Sequence, residues 1–292
     1  MSTLTITTIQ SNLQWEDKTA NLQQFEEKIK ALQQRTEVVI LPEMFSTGFS
    51  MNVEKLAEKM DGPSVSWMKK LSAERKIIIT GSLIIEEEGN YYNRLVWMLP
   101  NGQYGYYDKR HLFAYGDEDR HYTQGHKRLI ASVKGWKINL LVCYDLRFPV
   151  WARQKPAASS LADLVASEME ARDLPMPPPE EAGSSITDTT PEYDVLVYVA
   201  NWPERRNHAW KTLLQARAIE NQCYVVGVNR VGTDGMGHYY SGDTMVVDAM
   251  GAPLYTRAHE EDVFTITLQK DSLEEVRNKL PFLKDADRFI IA

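Results

Sequence analysis

Three short apolar runs constrain this chain most: Glu37-Val38-Val39-Ile40-Leu41, Ile138 to Val142, and Asp194-Val195-Leu196-Val197-Tyr198-Val199-Ala200. Each has the length and the β-branched content of a strand buried on both faces. Between them lie segments with helical periodicity. Leu22, Phe25, Ile29 and Leu32 recur in a charged stretch, Val65, Met68 and Leu71 mark a second helix, and Asn207 to Asn221 carries Trp210, Leu213, Leu214 and Ile219. Turn signals at Glu88-Gly89-Asn90, Pro100-Asn101-Gly102 and Met250-Gly251 add hairpins. Strands alternating with helices, with a few hairpins, predict an α/β fold with a mixed sheet, one domain over the 292 residues.

One stretch departs from this grammar. Residues 155–191 are rich in Ala, Ser, Pro and Glu, contain no aromatic residue and include Pro177-Pro178-Pro179-Glu180-Glu181. Such a composition predicts a flexible insertion, with a turn or more of helix around Leu161 to Glu170. Because it separates the helix after Cys143 from the strand at Asp194, it is expected to leave the fold on the side away from Cys143.

Each apolar run ends on a residue able to do chemistry. Ile138 to Val142 leads into Cys143, and Pro149 is suited to open a helix. A cysteine there sits where open α/β sheets place their ligands, and a helix N-terminus favours thiolate over thiol. Cys143 taken alone reads equally as a small buried apolar residue. The second run ends at Pro42-Glu43, and an acid there is costly to bury unless paired, although a rim glutamate is more often solvated. The strand–turn meander from Lys76 to Leu99 delivers Lys109, which in isolation reads as a surface lysine, followed by the charged loop Gly116-Asp117-Glu118-Asp119-Arg120 closed by Gly125, by itself a solvated face. A base, a cation and a thiol are what nucleophilic attack on a carbonyl needs, without a histidine. Cys223 has no acid or base near it in sequence and reads as structural.

Other classes find little support. A net charge of −7 argues against a general nucleic-acid or membrane-surface binder. No apolar run approaches the roughly 18 residues that span a bilayer, and the first ten residues lack a signal-peptide pattern. Two cysteines far apart suit a reducing cytoplasm. Neither an HExxH spacing nor a GxxxxGK loop is present, so no metal or nucleotide cofactor is expected.

At Leu41-Pro42-Glu43-Met44-Phe45, Asp108-Lys109-Arg110-His111-Leu112-Phe113 and Val142-Cys143-Tyr144-Asp145-Leu146-Arg147-Phe148-Pro149, in that order, the chain resembles the nitrilase (carbon–nitrogen hydrolase) superfamily. Asn201-Trp202-Pro203, Arg217-Ala218-Ile219-Glu220-Asn221 and Ser241-Gly242-Asp243 match its supporting blocks, and only residues 155–191 fall outside the likeness. The segments from Pro42 to Phe49 and from Val199 to Arg206 look like the omega-amidases, which hydrolyse the terminal amide of 2-oxoglutaramate and 2-oxosuccinamate. The resemblance implies a four-layer α-β-β-α sandwich with mixed sheets, paired into a homodimer. It implies Cys143 as nucleophile through a thioester, Glu43 as base, and Lys109 with the Tyr144 N–H as oxyanion donors. Glu118 would be a second glutamate orienting the lysine. Trp202 with Arg205 or Arg206 would receive the substrate carboxylate, or those arginines lie exposed on the surface. The alternatives are another carbon–nitrogen hydrolase, such as a carbamoyl-amine hydrolase or aliphatic amidase, or a non-catalytic binding protein on the same scaffold.

Overall fold

The computed structural model describes residues 2–154 and 191–287. Nearly all of the expected insertion lies outside these residues. Its flanks meet: Gln154 Nε2 donates to the Tyr193 carbonyl at 2.7 Å, and the Tyr193 N–H returns a bond to Gln154 Oε1 at 3.2 Å. Both precede a strand whose far end carries Asn201.

Among the described residues the strands form two mixed sheets. The first has six strands in the order β13-β1-β2-β3-β4-β5. Here β1 is Thr3–Gln10, β2 Val38–Ile40, β3 Ile78–Glu87, β4 Asn90–Met98, β5 Tyr104–Asp108 and β13 Asp262–Gln269. Its centre, β1-β2-β3, is parallel, and its edges are antiparallel. The second sheet has seven strands and is parallel across β7 (Trp136–Val142), β8 (Val195–Val199) and β9 (Tyr224–Val228). It is flanked by β6 (Leu129–Val133) on one side and by β11 (Tyr239–Val247), with β10 (Val231–Thr233) and β12 (Pro253–Ala258), on the other.

The apolar runs explain the layering. Val38 and Ile40 share one core cluster with Leu140, Val142, Val195 and Val197 of the opposite sheet. Val39 and Leu41, pointing the other way, pack with Phe25, Ile29, Met68 and Leu71 of helices α1 (Lys18–Lys30) and α3 (Pro63–Arg75). On the far side, Trp210, Leu214 and Ala218 of α6 (Asn207–Asn221) are fully buried against the second sheet. The result is the expected α-β-β-α sandwich. Each fully buried large aliphatic side chain contributes about 1.5–3 kcal/mol relative to exposure. The shorter helices are α2 (Val53–Leu56), α4 (Glu118–His121), α5 (Pro149–Ala152) and α7 (Lys270–Lys279).

Two details differ from a plain strand-then-helix reading. The helix expected after Cys143 is one turn, Pro149–Ala152, preceded by a separate 3-10 turn, Cys143–Arg147. Arg153 turns out of the helix because its backbone is extended, with ψ of 132°. The strand ends that lead into Glu43, Lys109 and Cys143 do not share one sheet: β2 and β5 belong to the first and β7 to the second, so these residues meet where two facing sheets meet.

Candidate active site

Glu43 follows β2, Lys109 follows β5 and Cys143 follows β7, and the three converge. Lys109 Nζ donates to Glu43 Oε1 at 2.9 Å, to Glu118 Oε2 at 2.8 Å and to Glu118 Oε1 at 3.0 Å. All three side chains are buried. Asn93 of β4 places its Nδ2 between the carboxylates, 2.8 Å from Glu43 Oε1 and 3.0 Å from Glu118 Oε1. The Asn201 N–H donates to Glu43 Oε2 at 2.7 Å, and the Phe113 N–H to Glu118 Oε2 at 2.6 Å. These charge-assisted bonds offset part of the cost of burying three ionisable groups.

The backbone is bent to bring the groups together. Cys143, Met44 and Asp117 have φ values of 45°, 43° and 59°, in the left-handed region that side chains with a Cβ avoid. They are the nucleophile candidate itself, the residue after Glu43 and the residue before Glu118. Strain of about 1–3 kcal/mol at each persists only where the surroundings over-determine the geometry. Gly125 serves the same end. Its N–H donates to the Lys109 carbonyl at 3.0 Å, and a Cβ there would stand 2.1 Å from the Asp108 carbonyl oxygen.

Electrostatics reverse one expectation from the sequence. Burial, and then the negative charge of Glu43, push the Cys143 thiol well above its ordinary range, against the pull of Lys109. A helix N-terminus does not supply a preformed thiolate, because Cys143 heads a short 3-10 turn. Burial works against the Lys109 charge, but the Glu118 and then the Glu43 carboxylates outweigh it and hold the ammonium above its ordinary range. Burial likewise raises Glu118, with Lys109 opposing. A raised thiol pKa keeps the neutral form to higher pH. The difference in thiolate absorbance at about 240 nm between wild type and Cys143→Ala is therefore expected to stay flat from about pH 6 to about pH 9. A thiolate step below about pH 9 would contradict the raised thiol pKa.

A cavity of about 520 Å³ opens onto Cys143, Tyr144 and Lys109. Phe49, Phe113 and Trp202 form apolar walls, and Arg147, Arg205 and Arg206 supply positive charge. Trp202 offers only its ring, since its Nε1 already donates to the Arg206 carbonyl at 2.8 Å. The Arg147 guanidinium lies 4.9 Å from the Trp202 ring centre, and that of Arg206 lies 5.2 Å from the Phe113 ring centre. Arg206 is half-buried and Arg205 is exposed. None of the three pairs with an acid among the described residues, unlike Arg94, Arg128, Arg217 and Arg277. The Tyr144 N–H is second in the 3-10 turn, among the N–H groups that find no acceptor within a helix.

All the site residues expected from the sequence gather here, except that Arg205 stands at the rim. Sequence reasoning missed the parts played by Asn93, Asn201 and Arg147. Asn93 gives a faint signal, an uncharged polar residue just ahead of Arg94 and the apolar run Leu95 to Met98. Among the described residues no cluster of three His, Cys, Asp or Glu side chains is placed to hold a metal ion, and no helix is long and apolar enough to cross a membrane. Cys223 is buried and unpaired under α6.

Comparison with known proteins shows the family. Residues 5–278 match the carbon-nitrogen hydrolase family. The chain is 38% identical over 290 residues to omega-amidase YafV of Escherichia coli K12, covering 99% of each chain. It is 28% identical over 284 residues to 2-oxoglutaramate amidase of Bacillus subtilis, covering 96% of each. Among solved structures, XC1258 of Xanthomonas campestris is a CN-hydrolase superfamily protein with an arsenic adduct in its active site. It superposes with a TM-score of 0.88 at 38% identity, over the full length of both chains.

Proposed function

The chain belongs to the carbon–nitrogen hydrolase family, and within it we propose that the protein is an omega-amidase. It hydrolyses the terminal amide of 2-oxo acid amides, 2-oxoglutaramate and 2-oxosuccinamate, to the 2-oxo acid and ammonia, as a cytoplasmic homodimer. One observation carries the reading. A buried ammonium, Lys109 Nζ, is held between Glu43 and Glu118 at the floor of a cavity whose mouth holds three arginines with no acid partner among the described residues. The names of the relatives from Escherichia coli and Bacillus subtilis point the same way. An aliphatic amidase would have no use for the arginines.

The chemistry follows from the placement. Cys143 Sγ attacks the amide carbonyl while Glu43 takes the thiol proton, so the buried thiol need not ionise in advance. The oxyanion is met by the Tyr144 N–H and by Lys109. The two Lys109 contacts to Glu118 reach one carboxylate, so a single bifurcated N–H can hold them and leave another donor for the substrate oxygen. Glu43 passes its proton to the departing amine, ammonia leaves, and a thioester remains. Glu43 then deprotonates a water that attacks the thioester, and the thiol is regenerated. Glu118 and Asn93 fix Lys109 and Glu43 throughout.

The test is an acid quench during turnover of 2-oxoglutaramate, followed by peptide mapping, with ammonia release measured in parallel. A 2-oxoglutaryl adduct is expected on the peptide containing Cys143, and Cys143→Ala is expected to release no ammonia. An adduct on Cys223, or full activity in Cys143→Ala, would overturn the assignment.

A further inference from the structure

We propose that Asp145 is a positioning residue that sets Lys109 against Cys143. This rests on the reading of those two residues as oxyanion donor and nucleophile. Asp145 is fully buried, and its carboxylate accepts four hydrogen bonds. Oδ1 takes the His111 N–H at 3.1 Å and His111 Nδ1 at 2.8 Å, and Oδ2 takes the Tyr107 hydroxyl at 2.8 Å and the Val142 N–H at 3.0 Å. A carboxylate has about four lone-pair sites, so every one is used. The donors come from two segments. Tyr107 and His111 each stand two residues from Lys109, and Val142 directly precedes Cys143. The Tyr107 hydroxyl in turn accepts the Arg110 N–H at 3.1 Å and Trp151 Nε1 at 3.0 Å, and the His111 ring stacks on Phe148 at 3.9 Å. The two segments belong to different sheets, which makes this carboxylate a bond between the sheets at the reacting centre. Asp145 itself does not line the cavity.

Asp145→Asn keeps the shape and removes one acceptor edge. If the new amide NH₂ faces His111, it opposes the His111 backbone N–H. If it faces Tyr107, it opposes the Val142 N–H. The imidazole can switch to accepting, but the Tyr107 oxygen already accepts two donors and a backbone N–H is always a donor, so either orientation leaves at least one clash. The clash displaces Lys109 relative to Cys143. Misplacement on the order of 1 Å costs about 100-fold in rate.

The experiment compares wild type, Asp145→Asn and Tyr107→Phe by kcat and KM on 2-oxoglutaramate and by the rate of Cys143 alkylation with iodoacetamide, a neutral electrophile. For Asp145→Asn, kcat is expected to fall about 100-fold with KM within about threefold, and alkylation to slow about tenfold because Lys109 no longer supports the forming thiolate. Tyr107→Phe, which removes one of the four donors, is expected to lose about tenfold in kcat. A folded Asp145→Asn enzyme with kcat and alkylation within about threefold of wild type would overturn the proposal. If Asp145→Asn fails to fold, Tyr107→Phe decides, and wild-type rates in both assays would overturn it. Should wild type hydrolyse no 2-oxo acid amide while Asp145→Asn still slows alkylation, the positioning role stands and the substrate reading falls.

Discussion

Glu43→Gln is expected to lower kcat by about 10³-fold or more, measured by steady-state ammonia release, and to leave no acyl adduct on Cys143 after acid quench. The substitution is isosteric, so the loss is chemical. Glutamine has no proton-accepting carboxylate, and one base serves both steps: it must take the thiol proton before a thioester exists and a water proton afterwards. The surroundings deepen the effect. Oε1 receives donors from Lys109 and Asn93, and Oε2 receives the Asn201 N–H. Whichever way the amide turns, its NH₂ meets a donor, and the donor–donor contact pushes Lys109 or Asn201 aside. Glu118 does not substitute as base, because the Cys143 thiol is hydrogen-bonded to Glu43, whereas Glu118 acts on it only through its charge. Turnover within about tenfold of wild type would assign the base elsewhere.

The residues that carry this argument were legible in the sequence because they stand at strand ends. An apolar β-branched run is visible locally, and the polar residue that closes it is the next letter. Glu43 and Cys143 are found that way, Lys109 stands out only beside them, and the α-β-β-α layering comes with the resemblance that joins the three. Pairing between strands far apart in the chain left no such trace. Nothing local says that β2 and β7 lie in opposite sheets, or that Asn93 of β4 reaches both glutamates. The left-handed backbone of Cys143 was equally hidden, since such a conformation is usually announced by glycine. The thiol pKa went wrong for a related reason. A turn near a cysteine can be read from the sequence, but desolvation belongs to the assembled site, and burial beside Glu43 outweighs the turn. Asp145 and Arg147 were in view as parts of a motif, yet their functions depend on segments that the motif does not contain.

The arginines at the mouth lead to the second large effect, discrimination by charge. kcat/KM for 2-oxoglutaramate is expected to exceed that for butyramide, a neutral amide, by about 10²-fold or more. A desolvated charge pair lost from a binding site costs roughly 2–5 kcal/mol, and each 1.4 kcal/mol is about tenfold. The arginines should not contribute alike. Arg205 is exposed, where water screens the contact, so Arg205→Ala is expected to stay within about threefold of wild type. Arg206 is half-buried against Phe113, the residue whose N–H holds Glu118. Arg206→Ala is therefore expected to raise KM for 2-oxoglutaramate about 30-fold or more and to leave butyramide hydrolysis unchanged. Arg206→Lys should recover part of the loss, because the charge returns without the planar fork that grips a carboxylate with two bonds. Equal rates on the two amides in wild type would point to an aliphatic amidase. Equal losses on both amides in Arg206→Ala would make this arginine a support for the Phe113 wall, with Arg147, stacked over Trp202, left as the cation that meets the carboxylate.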